Sequence, residues 1–245
     1  MKKNISLIIV AVAIGLFGFK TDGRVTTISP SVSPFEKIEI DTHMKTVITV
    51  REGAIPSLKL TASESELERI ETKVVGDRLV VSSRPEHWGR DNSSEDVTAE
   101  IILPKFTGLE IHGSSPVKVH GDVTGNNFML EISGSGHAVF DNMNVAKLVS
   151  EIAGSGHADI DAGTAAKAKY SISGSGKIRA FDLKSKEVSA EISGSGKCEV
   201  NVADKLVAGV SGSGSVIYTG DPATVDKEVS GSGSVRHAET TRALK

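Results

Sequence analysis

Apolar and polar residues alternate through most of this chain, and glycines interrupt the alternation at nearly regular intervals. Phe128, Leu130 and Ile132 stand at every second position leading into one interruption, and Ala138 and Phe140 do the same leading out. The pattern returns with Leu148 and Ile152 before Ala158 and Ile160, and with Val188, Ala190 and Ile192 before Cys198 and Val200. A period of two is that of a strand with one buried face, so each interruption separates two strands.

The interruption itself reads Gly-Ser-Gly. Its glycines are Gly134 and Gly136, Gly154 and Gly156, Gly174 and Gly176, Gly194 and Gly196, Gly212 and Gly214, and Gly231 and Gly233, with an imperfect forerunner at Gly113-Ser114-Ser115. The first glycines, 113, 134, 154, 174, 194, 212 and 231, are separated by 21, 20, 20, 20, 18 and 19 residues. So steady a period means stacked units, none of which can bury its apolar face alone. The reading is an all-β chain folded as a parallel β-helix, or β-solenoid, with one coil per repeat. Gly-Ser-Gly forms the corner of each coil, because a residue without a Cβ can take left-handed or bulged conformations there.

The rest of the chain frames this repeat. A short basic start and the apolar run 5–19 read as a signal peptide over 1–23, too short for a comfortable membrane span. Residues 24–34, rich in Ser, Thr and Pro, read as a linker. Residues 35–105 read as irregular N-terminal coils or a cap of the same solenoid. They contain strand-like segments, a helical turn capped by Ser63, and a hairpin turning at Gly76-Asp77. The regular solenoid covers 106–238, and 239–245 is a polar tail.

Charge and chemistry narrow the function. With 28 Lys and Arg against 31 Asp and Glu the chain is nearly neutral, which gives no electrostatic case for nucleic acid or an anionic membrane surface. Cys198 is the only cysteine, which excludes an internal disulfide and a cysteine metal cluster. Gly194-Ser195-Gly196-Lys197 imitates the end of a phosphate loop, yet Glu191 stands where the first glycine belongs and Cys198 where Ser or Thr belongs. Ser213 lacks the spacing of a nucleophile elbow. No catalytic residue and no cofactor is expected.

The residue after each corner is His137, His157, Lys177, Lys197, Ser215 or Ser234, which stacking turns into an outward ladder. The two histidines have no third ligand in register, so no metal is expected. The first four of these, with Trp88 in the polar loop 82–96, are the candidate ligand-binding residues. Glu131, Glu151, Glu191 and Glu228 form a second column. Asp141, Asp159, Asp161 and Asp182 fall in the return portions of the coils. They leave open the alternative of a carbohydrate-active lyase or hydrolase on this scaffold, although the coils lack the long inserted loops that would wall a cleft.

One family combines these features. Phe35-Glu36-Lys37-Ile38-Glu39-Ile40, Thr46-Val47-Ile48-Thr49-Val50 with Gly53, the segment Leu67 to Gly76, Leu79-Val80-Val81 and the repeated Ile-Ser-Gly-Ser-Gly resemble the secreted bacterial auto-transporter adhesins with a head GIN domain. The likeness covers residues 35 to 236 and departs from the family at Thr42-His43-Met44-Lys45, where the Gly-Ile-Asn turn belongs. It implies a right-handed β-helix of Bacteroidetes-like origin, exported to the periplasm, outer surface or medium. It further implies a non-enzymatic, adhesin-like role at the cell envelope, toward a glycan or an envelope protein, with no membrane span in the mature chain. End-to-end or edge self-association, up to a purely structural stacking module, is the remaining expectation.

Overall fold

The computed structural model describes residues 25–84 and 97–238. The expected signal peptide, Trp88 with most of its loop, and the tail from 239 lie outside the described residues. The chain begins with β1 (Val25–Ile28), β2 (Lys37–Asp41), β3 (Lys45–Val50), β4 (Ser57–Ser63), the turn of helix α1 (Glu64–Leu67), β5 (Ile70–Val75), β6 (Arg78–Ser83) and β7 (Thr98–Leu103). It continues with β8 (Gly108–Gly113), β9 (Pro116–Gly134), β10 (His137–Gly154), β11 (His157–Ile160), β12 (Gly163–Gly174) and β13 (Lys177–Gly194). The last strands are β14 (Lys197–Gly212), β15 (Ser215–Thr219), β16 (Thr224–Gly231) and β17 (Ser234–His237). All belong to one continuous sheet wound into a solenoid of about 6 turns, and the expected all-β solenoid is the fold found.

From β8 onward every pairing is parallel, with register shifts after Phe140, Ala180 and Ser185, and Ile111, Ile132, Ile152, Ile172, Ile192 and Val210 stand above one another. Their burial, with that of Leu130, Leu148, Val188 and Leu206, fills a narrow core. Each such side chain contributes about 2 kcal/mol on leaving water. Phe106, Phe128 and Phe140 add an edge-to-face stack with ring centroids 5.2 and 5.5 Å apart.

The N-terminal coils do not stack in chain order. β2 lies between β6 and β8, and β3 between β7 and β9, all parallel, so the rung made by β6 and β7 lies outside the rung made before it. Antiparallel strands make this possible: β4 pairs with β7, β1 with β4, and β5 with β6 through the turn at Gly76, whose φ is 65°. Part of the stretch expected as a linker is therefore the edge strand β1. α1 starts where Ser63 accepts a hydrogen bond from the Glu66 amide, as the capping signal predicts.

The corners explain the repeat in atomic terms. The first glycine of each has φ between 100 and 124° at Gly113, Gly134, Gly154, Gly174, Gly194, Gly212 and Gly231, a left-handed region that an L side chain rarely adopts. A Cβ on Gly174 would also lie 2.5 Å from the Gly154 carbonyl oxygen of the coil beneath. A Cβ on the second glycine, Gly176, would lie 2.6 Å from Ile152 Cγ2 and 2.9 Å from the Gly156 carbonyl oxygen. Meanwhile the Ser175 amide donates to the Gly154 carbonyl and the Lys177 amide to the Gly156 carbonyl, so the hydrogen-bond ladder passes through the bend unbroken. Gly174→Ala and Gly176→Ala are each expected to lower stability by about 2–4 kcal/mol, against about 1 kcal/mol for Gly53→Ala, where nothing stands within 4 Å. Urea melts of the three variants, with the exposed Ser175→Ala as a near-neutral control, measure this.

Candidate ligand-binding face

The strands that leave each corner, β9 to β11, β13 to β15 and β17, display one outward face built from two adjacent columns. The first is His137, His157, Lys177, Lys197, Ser215 and Ser234, the ladder expected from the repeat, brought into register by strand pairing. The second lies two residues further along each strand: Lys118, Val139, Asp159, Arg179, Glu199, Ile217 and Arg236. Period-two strands make this arrangement unavoidable, because residues i and i+2 share a face and each coil repeats the choice one spacing higher.

Charges in the second column alternate in sign, and the ladder closes over them. Asp159, 9% exposed, receives both arms of Arg179, with Nε 2.6 Å from Oδ1 and Nη2 3.0 Å from Oδ2. His137 Nε2 stands 2.7 Å from the same Oδ2. Glu199, 8% exposed, is held by Lys197 and, at 3.6 Å, by Lys177. A neighbouring group repeats the theme: Asp141 lies 2.7 Å from His120 Nδ1 and 3.8 Å from Lys118 Nζ. The His157 ring meets that of His137 edge-on at 6.0 Å.

The electrostatic consequence is clearest at Asp159. Burial opposes its ionisation, but the hydrogen bonds from Arg179 and His137 outweigh that and hold its carboxyl below the usual carboxylate range. Arg179 is raised in turn by the same pairing. The fully buried Cys198 thiol is pushed up by burial, with the neighbouring Glu199 adding to the effect, so it is no nucleophile. Among the described residues no group of three His, Cys, Asp or Glu is placed to hold a metal ion.

The other expected features fall elsewhere. Each Gly-Ser-Gly glycine sits at a corner edge beside this face, and Trp88 lies outside the described residues. The glutamate column runs on the opposite side of the corner as Glu39, Glu110, Glu131, Glu151, Ser171, Glu191, Gly209 and Glu228. Arg78 bridges Glu39 and Glu110 at 2.9 and 2.6 Å. The stretch Thr42 to Met44 forms the corner of the first coil. Its partner is Ser115, which replaces the second glycine and uses its hydroxyl to accept from the Met44 amide and donate to the Thr42 carbonyl. His43 Nδ1 lies 2.9 Å from Ser114 Oγ. Arg179, Glu199 and this serine clasp went unread in the sequence. The first two were visible as residues at a common offset from each corner.

Residues 34–222 match the family described as "Putative auto-transporter adhesin, head GIN domain". The chain belongs to this family. Among solved structures, one from Bacteroides fragilis titled a "putative adhesin" superposes with a TM-score of 0.83 at 23% identity, covering 88% of this chain and 97% of the other. A Parabacteroides merdae structure titled a "putative adhesin" gives 0.72 at 22% identity, covering 89% and 98%. A Parabacteroides distasonis structure titled "Putative lipid binding protein" gives 0.70 at 23%, covering 89% and 98%. At these identities the likeness establishes the head GIN fold alone. None of the curated protein sequences matches this one.

The lowered Asp159 carboxyl links this head GIN face to stability. A group whose folded value is depressed stabilises the protein above its unfolded value, about 4, and loses that contribution as pH falls through the folded value. Asp159→Asn is expected to melt below the parent at neutral pH and to converge with it in acid. Thermal melts between about pH 7 and about pH 2 read the difference.

Proposed function

We propose that this head GIN protein works at the bacterial cell envelope as a non-enzymatic, adhesin-like solenoid, and that its paired-charge face binds a glycan. The observation that carries the reading is the pairing of the ladder with two buried acids. His137, Lys177, Lys197 and Arg179 are each committed to Asp159 or Glu199, so the face offers many hydrogen-bonding groups at a strand spacing of about 4.8 Å with its two acids fully paired. Such a surface suits the repeated hydroxyls of a polysaccharide. The family's adhesin description and the apolar run 5–19 support placement outside the cytoplasm, as a periplasmic, surface or released protein. No helix among the described residues is long and apolar enough to cross a membrane.

Two other readings have less support. The acids that a hydrolase would use include Asp141 and Asp159, and both are held by basic neighbours on an open face. An acyl-chain site would need a continuous apolar strip. The outward column of Met129, Val149 and Val207 is interrupted by Lys169 and Ser189.

A glycan array and binding to envelope extracts test the reading. The combined variant His137→Ala, His157→Ala, Lys177→Ala, Lys197→Ala is expected to lose at least about tenfold in affinity while still melting cooperatively. Trp88→Ala measures the contribution of the loop separately. Undiminished binding by the four-residue variant would remove this face from the mechanism. Copies joined end to end would multiply the ladder, and the two ends carry observations of their own.

A further inference from the structure

Four of the seven exposed large apolar side chains among the described residues lie on the terminal strands of the stack. Val25 on β1 and Val75 on β5 are 71% and 59% exposed at the N-terminal edge, and Val225 and Val229 on β16 are 38% and 42% exposed on the last rung. In register beneath those last two lie Leu206 and Val210, 0% and 3% exposed. The last rung therefore covers the core below it and leaves its own inner face open. Among the described residues β16 pairs only with β14, and β5 only with β6. Each end thus presents a row of unpaired backbone donors and acceptors, a template for another strand.

Charge selects the occupant. In a two-fold pairing of β16 with its own copy about Lys227, Asp226 would lie opposite Glu228 and Lys227 opposite Lys227. Like charges directly opposite one another are destabilising. The far end of the same outward column is different. The column that holds Glu228 runs down through Glu191, Glu151, Glu131, Glu110 and Glu39 to Val80 and ends on the exposed Lys73 of β5. Lys73 is the only base in a column otherwise occupied by acids and small or apolar residues. At the inward position of β16, Lys227 replaces the buried alanine of the rung below, Ala208.

We propose that the protein associates with itself head to tail, β16 of one copy adding to the free edge of β5 of the next, with Glu228 opposite Lys73. An interface of this kind joins two different surfaces and does not close on itself, so it builds a filament rather than a dimer. The filament continues the hydrogen-bond ladder of the solenoid from copy to copy. It would present the paired-charge face many times along one rod, which raises avidity without any new contact to a ligand.

Sedimentation of the purified protein over about a hundredfold range of concentration tests the proposal. The expected result is an average mass that climbs without a plateau. Lys73→Glu and Glu228→Lys are each expected to weaken association about tenfold, and the double variant to recover it, since opposite charges then face each other again. Both positions are exposed, so thermal melts of the variants should match the parent. A plateau at two copies would replace the head-to-tail contact with a two-fold one and overturn the proposal. So would a monomer at every concentration, or single reversals without effect. Association that appears only after residues 239–245 are removed would assign the β16 edge to the chain's own terminus, also against the proposal. The four-residue ladder variant should associate like the parent, which separates failure here from failure of glycan binding.

Discussion

The structure depends on how closely one corner sits on the next. Successive first glycines approach so that a Cβ on Gly134, Gly154, Gly174 or Gly194 would fall 2.4 to 2.6 Å from the carbonyl oxygen below. Real side-chain carbons do not reach that distance, so the spacing of the stack is available only to glycine. The second glycine is forced separately, by the isoleucine methyl that packs under it. Both requirements arise from stacking and not from the turn alone. Gly113, in the first corner of the regular stack, has nothing within 4 Å of such a Cβ. Ser115 can therefore replace the second glycine there, over Met44 and Thr42 of the coil beneath.

Once corners are locked in register, every other position becomes a column. Inside, this gives the isoleucine and phenylalanine stacks that hold the core. Outside, it means that any charge is met by the residue one repeat away, and the columns answer this in two ways. The column holding Asp159 alternates sign and pairs its acids across coils with Arg179, His137 and Lys177 and within one strand with Lys197. The glutamate column instead spaces its acids with Ser171 and Gly209 and uses Arg78 at its lower end. The first solution buries carboxylates on an outward face by surrounding each with bases.

The two ends differ in how they stop the stack. At the N-terminal end the chain reverses, laying antiparallel β4 and β5 against the outermost parallel rung and placing Leu67 and Val74 against the core. At the C-terminal end the parallel ladder runs out with the wholly exposed β16. A rod that ends in an antiparallel strand on one side and a parallel strand on the other has a direction. Any partner that extends it, a second copy included, must meet two unlike surfaces.

Much of this was legible in the sequence. The 20-residue recurrence of Gly-Ser-Gly and the period-two apolar pattern around it are local signals, and they determined the strands, the corners, the coil length and which residues would share the ladder of His137, His157, Lys177 and Lys197. The cap signals of Ser63 and the hairpin turn at Gly76 were equally local, and each was readable as written. What the sequence could not show is where the irregular N-terminal strands go. Strand pairing there is between segments some 50 to 70 residues apart, such as Lys45 with Thr98 and Lys37 with Gly108, and no periodicity marks such partners. Nor could it show that His137 and Lys177 are already spent on Asp159 and Glu199, because that pairing depends on side-chain reach between coils and not on order along the chain. The repeat therefore determined the scaffold, and tertiary stacking decided which of its polar groups remain available, since only proximity across about 4.8 Å settles which charge neutralises which.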